Sequence, residues 1–112
     1  KVTLSCEEEN THISIGENCL LAGQIIMKTS DGHRIFDVHS GESLNPKGDV
    51  NVGNHVWICP YAILLNHSMV SDNSVVGIRA VVTKKFNETN VVLGGVPAKI
   101  IKRNCNWRNE LN

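Results

Sequence analysis

The sequence predicts an all-β fold, a parallel β-helix in which the chain winds as a triangular prism with one short strand per side. Three observations predict it. From Val52 onward an aliphatic residue recurs every six positions, at Val52, Ile58, Leu64, Val70, Val76 and Val82. Two residues before each stands another apolar or small one: Val50, Val56, Ala62, Ser68, Ser74 and Ala80. An earlier stretch repeats the pattern in Ile13/Ile15, Cys19/Leu21 and Ile25/Met27. A helix would space its apolar residues by three and four. A period of six with an inner period of two fits a coil whose sides each point two residues inward.

Residues 2–5 alternate like a strand, but out of register with the coil after them. Residues 13–27 make about one coil. The repeat then breaks, because Met27 to Val52 is 25 positions, not a multiple of six. Residues 28–49 hold Ser30, Asp31, Gly32, Gly41, Asn45, Pro46 and Gly48, a loop composition. A long loop that interrupts a regular scaffold is a place to look for function. Residues 50–87 give two more coils. Gly16, Gly53 and Gly77 fall where strands meet corners, as tight turns need. Residues 90–95 read as a final strand and turn within a closure spanning about 90–112. The tail 104–112, polar apart from Trp107 and Leu111, reads as a short terminal helix.

With 112 residues the chain is one domain. It starts at Lys1 in mid-pattern and so reads as a piece lacking an N-terminal region. Stacked coils leave flat outer faces, so self-association is expected. Lys plus Arg and Asp plus Glu number eleven each, which gives no argument for nucleic acid or an anionic membrane. No apolar run has the length of a membrane span. Cys6, Cys19, Cys59 and Cys105 lack metal-knuckle or redox spacing, so they read as free thiols in a reducing, cytoplasmic setting.

Three segments resemble the hexapeptide-repeat acyltransferases. They are Ile15-Gly16-Glu17-Asn18-Cys19 with Ser30-Asp31-Gly32-His33; Val50-Asn51-Val52-Gly53-Asn54-His55-Val56-Trp57-Ile58; and 71–84 with the closure Gly94-Gly95-Val96-Pro97-Ala98-Lys99-Ile100-Ile101-Lys102. Thr83-Lys84 and the Gly-Val-Pro-Ala-Lys closure are most similar to the branch that O-acetylates sugars. The resemblance implies a left-handed prism, against the usual right-handed crossover. It also implies acetyl-CoA as cosubstrate with no metal, a sugar or glycan hydroxyl as acceptor, and a homotrimer with acetyl-CoA in a groove between neighbouring prisms.

Residue by residue, the resemblance makes His33 the general base, and the 24-residue step from His33 to Trp57 matches the family's spacing. An alcohol is a poor nucleophile near neutral pH, and an imidazole with an ordinary pKa of about 6.5 is suited to take its proton. Asp31 either orients His33, touches the acceptor, or simply forms the turn. Trp57 lies between two inward residues, so its ring points outward. The resemblance has its carbonyl fix the histidine tautomer while the ring lines the cleft; packing between subunits is the plainer role, and both can hold. Pro60, Ile78, Thr83, Lys84, Lys99 and Lys102 match cofactor positions, and solvated surface is the alternative for each lysine. Cys59, Ile78 and Arg79 depart from the smaller residues of the family pattern.

Two other functions compete. Some left-handed prisms are carbonic anhydrases that hold zinc with three histidines. His39, His55 and His67 are the residues to check, but the spacing from His33 to His39 is one residue too long for that pattern. They, and His12 beside its acidic run, read rather as turn or surface residues. A non-catalytic trimeric scaffold is the third reading, supported by Cys59, Ile78 and Arg79.

Overall fold

The computed structural model describes residues 1–111; the last position of the expected tail helix, 112, lies outside them. Among the described residues, thirteen short strands build three sheets, one per side of a prism. The first face holds β1 (Val2–Ser5), β4 (Ile25–Lys28), β7 (Ile63–Leu64) and β10 (Val81–Val82). The second holds β2 (Ile13–Ile15), β5 (Val50–Val52), β8 (Met69–Val70) and β11 (Lys85–Phe86). The third holds β3 (Leu20–Leu21), β6 (Trp57–Ile58), β9 (Val75–Val76), β12 (Val91–Gly94) and β13 (Lys99–Arg103). All pairings are parallel except the terminal β12–β13 hairpin.

The six-residue pattern is the core. All twelve inward positions from Val50 to Val82 are buried, none more than 4% exposed. Residues of one face stack in register, Met27 on Leu64 and Leu64 on Val82. Two inward positions are serines. Ser74 Oγ has the Asp72 carbonyl and the Val91 N–H at 3.3 Å each. Ser68 Oγ has no partner among the described residues. A buried hydroxyl without a partner is costly. Ser68→Ala should therefore stabilise the prism by about 1 kcal/mol, and Ser74→Ala should not. Urea unfolding of the two variants checks this.

The corners differ from the expectation. Gly16 and Gly53 do not supply left-handed backbone. They give room instead, since a Cβ on Gly16 would lie 2.6 Å from the Gly53 carbonyl oxygen and one on Gly53 2.3 Å from Asp72 Oδ1. Left-handed backbone is supplied at the corners by residues such as Asn18, Gln24, His55, Tyr61, His67, Asn73 and Arg79, each three positions before an inward residue. His55 and His67 are thus corner residues, and His12 lies 3.7 Å from Asp49.

Three further differences concern the ends and the break. Residues 2–5 are in register after all: Val2 pairs with Ile25 and Leu4 with Met27, the surplus residues lying in 6–12. The inserted loop begins at Thr29, because Lys28 belongs to β4. It is partly ordered as a hairpin-like arm, with a bridge between Phe36 and Ser43 and the Leu44 N–H donating to the Ile35 carbonyl at 2.8 Å. Asp37 caps its tip by accepting the Ser40 and His39 N–H groups at 2.9 and 2.8 Å. These donors hold its carboxyl below the ordinary value. Residues 104–111 form no helix but an irregular strap with bends at 104 and 109–110. No helix among the described residues is long and apolar enough to cross a membrane.

Candidate active site

The strand order fixes which edge of the prism carries each residue. The chain passes from the first face to the second at 29–49, again at 65–68, and again at Thr83-Lys84. The His33 arm, His67 and Thr83-Lys84 therefore share one edge. The last crossing is shortened: Phe86 pairs with Val70 only four positions after Val82. The arm is rooted on this edge. Asn66 Nδ2 donates to the Pro46 carbonyl at 2.7 Å, His67 Nε2 lies 3.0 Å from the same oxygen, and Lys47 Nζ donates to the Glu9 carbonyl at 2.6 Å.

His33 is exposed and lines a polar cleft of about 270 Å³ with Glu8, Ser30, Arg34, Asn45 and Lys47. Asp31 does not bond His33 directly. Asn45 joins them, its Nδ2 donating to Asp31 Oδ2 and to the His33 carbonyl, both at 2.9 Å, while its Oδ1 accepts the Ile35 N–H at 2.6 Å. In the bare sequence Asn45 counts only as loop composition. Its one available signal is the asparagine's ability to both donate and accept along a turn.

Trp57 is half-buried on the third face and does not line that cleft. Its outward neighbours in the ladder are Leu20 and Val75. Trp107, which the sequence does not mark as a site residue, leans on it with ring centroids 6.1 Å apart. Pro60 and Ile78 lie at the edge between third and first faces, where the Arg79 N–H donates to the Pro60 carbonyl at 3.1 Å. Ile78 is 63% exposed, and the Arg79 guanidinium sits 4.6 Å over the Tyr61 ring. Arg79 is thus turned onto Tyr61. Cys59, beside them, is buried, and burial pushes its thiol up, away from the reactive thiolate.

Lys84 and Lys99 meet at the C-terminal end of the prism. With Lys85, Phe86, Glu88 and Arg103 they line a cleft of about 530 Å³. Arg103 is committed to Glu88 through two hydrogen bonds of 3.0 and 3.2 Å, a contact that raises its already high pKa. Lys102 pairs with Val92 in the terminal hairpin and does not line this cleft. One chain therefore brings together His33, Asp31 and Asn45, and separately Lys84 and Lys99. It does not bring His33 to Trp57, nor Thr83 to Pro60 and Ile78.

No protein-family model matches the chain. Over 99 residues it is 35% identical to a polysialic acid O-acetyltransferase of Escherichia coli O1:K1, covering 88% of this chain and 32% of that protein. It is 33% identical over 95 residues to the galactoside O-acetyltransferase of Escherichia coli K12, covering 80% and 43%. The crystallised polysialic acid O-acetyltransferase OatWY superposes with a TM-score of 0.88 at 37% identity, over 99% of this chain and 51% of that one. Over most of its own length the chain is similar to polysialic acid and galactoside O-acetyltransferases, and it shares its fold with the hexapeptide-repeat acetyltransferase family. Its prism is the left-handed β-helix of that family, as the resemblance in its repeats implied. The chain spans about half the length, or less, of these relatives.

Proposed function

We propose that the chain forms the catalytic prism of an acetyl-CoA-dependent O-acetyltransferase acting on a hydroxyl of a sugar or glycan. The observation that carries the reading is the position of His33. It sits in a polar cleft on the same edge as Thr83-Lys84, in a chain related to sugar O-acetyltransferases.

His33 takes the proton of the acceptor hydroxyl as its oxygen attacks the thioester carbonyl. Backbone N–H groups at a corner of the prism donate to the developing oxyanion. The carbon–sulfur bond breaks, the acetyl ester forms, and the proton passes from the imidazolium to the leaving thiolate. Asn45 holds the backbone of His33 and the carboxylate of Asp31 in one arrangement, which reduces the disorder that must be lost at the moment of reaction. Lys84 and Lys99, which line one cleft, meet the phosphates of coenzyme A.

Trp57, Pro60 and Ile78 lie away from the His33 edge, so the site is completed by a second copy of the chain. A closed ring of three copies, in the cytoplasm where acetyl-CoA is made available, fits this head-to-tail use of two different edges. The test is release of free thiol from acetyl-CoA against a panel of sugars and glycans, polysialic acid and galactosides among them. Acceptor-dependent release supports the reading. Absence of release with every acceptor, together with absence of coenzyme A binding at millimolar concentration, turns the chain into a scaffold.

A further inference from the structure

The strap after β13 ends on the residue that the proposed chemistry borrows from the neighbouring copy. Asn104 turns the chain with a left-handed φ of 59°, and the Cys105 N–H donates to the Asn90 carbonyl at 2.9 Å. The strap then runs back along the edge between second and third faces, reaching His55. Trp107 Nε1–H donates to the His55 carbonyl at 2.8 Å. Its indole lies flat on the His55 imidazole, 4.1 Å away and 9° from parallel. It meets the Trp57 ring at a tilt of 48°. His55 is itself fixed, its N–H donating to the Glu17 carbonyl at 2.8 Å and its Nδ1 lying 3.1 Å from Asn73 Oδ1.

An indole far along the sequence thus clamps the backbone that leads into Trp57 and walls one side of the Trp57 ring. We propose that Trp107 is a positioning residue for Trp57, and through it for the acceptor. The inference rests on the proposed function, in which Trp57 of a second copy completes the His33 site, and it adds that the ring meets the acceptor there. A half-buried ring without its wall samples more rotamers, and that freedom is lost again each time an acceptor binds. Acetyl-CoA, held by lysines and by the opposite edges, does not meet this cost.

The test uses Trp107→Ala and Trp107→Phe in the whole chain. The sequence has two tryptophans, so emission from either variant reports Trp57 alone. Trp107→Ala is expected to raise the KM for the best acceptor of the panel about tenfold. It should leave the KM for acetyl-CoA within about twofold and make Trp57 emission more quenchable by acrylamide. Trp107→Phe, which keeps a flat ring on His55, should recover most of the acceptor KM. Unchanged acceptor KM in both variants overturns the inference while leaving the acetyltransferase reading in place. So does a parallel rise of both KM values with a lower melting temperature, the mark of a purely structural clip. A wild-type chain that turns over no acceptor removes the reading and this inference with it.

Discussion

Replacing His33 with alanine should cut acetyl transfer by about 10²–10⁴-fold, the range a positioned general base supplies, with melting unchanged. Both halves of that expectation come from the site. The hydroxyl of a sugar carries its proton throughout the working range, and in the proposed site His33 is the group that takes it. The hydrogen bond that Asn45 makes to His33 uses the backbone carbonyl, which alanine keeps. The side chain is exposed, so its loss leaves no cavity. Thiol release with the best acceptor, measured beside thermal unfolding, decides the matter. A His33→Ala rate within a few-fold of wild type would remove the imidazole from the mechanism.

Leu64→Ala should be the most damaging single change to the fold. Leu64 is fully buried and is an inner rung of the first face, in register with Met27 on one side and Val82 on the other. Truncating a buried leucine costs about 2–5 kcal/mol through lost transfer energy and the cavity left behind. Domains of this size have about 5–15 kcal/mol in total. Stability in a stacked repeat depends on contact between neighbouring coils, so damage to a central rung weakens the coils on both sides. Equilibrium urea unfolding should show a large drop in midpoint. A loss below about 1 kcal/mol would mean that the rungs do not share the load as the register implies.

The prism was legible because its geometry repeats. Any inward residue has an inward partner six positions on, so Val52 through Val82 announce both strand and face. The corners were less legible. Left-handed backbone usually points to glycine, and here Tyr61, His67 and Arg79 adopt it. Gly16 and Gly53 answer a different need, the close passage of the next coil. The β12–β13 hairpin and the strap carry no six-residue period, so the tail suggested a helix where the structure has an irregular segment packed by Trp107. At the site, the histidine and its loop were readable, but a linear count from His33 to Trp57 hides the fact that they stand on different faces. Asn45 left no trace beyond a turn residue, because its role comes from three hydrogen bonds that only the folded arm creates.

The separation of those edges leads to the most direct measurement. His33 lies on the edge between first and second faces and Ile78 on the edge between third and first. If each site joins the His33 edge of one copy to the Ile78 edge of another, two inactive variants repair each other when mixed in one assembly. His33→Ala and Ile78→Glu chains, each inactive alone, should recover about a quarter of wild-type thiol release when co-assembled in equal amounts, since one site in four then receives both intact edges. Mixed assemblies that stay as inactive as their parents would contradict a site shared between copies.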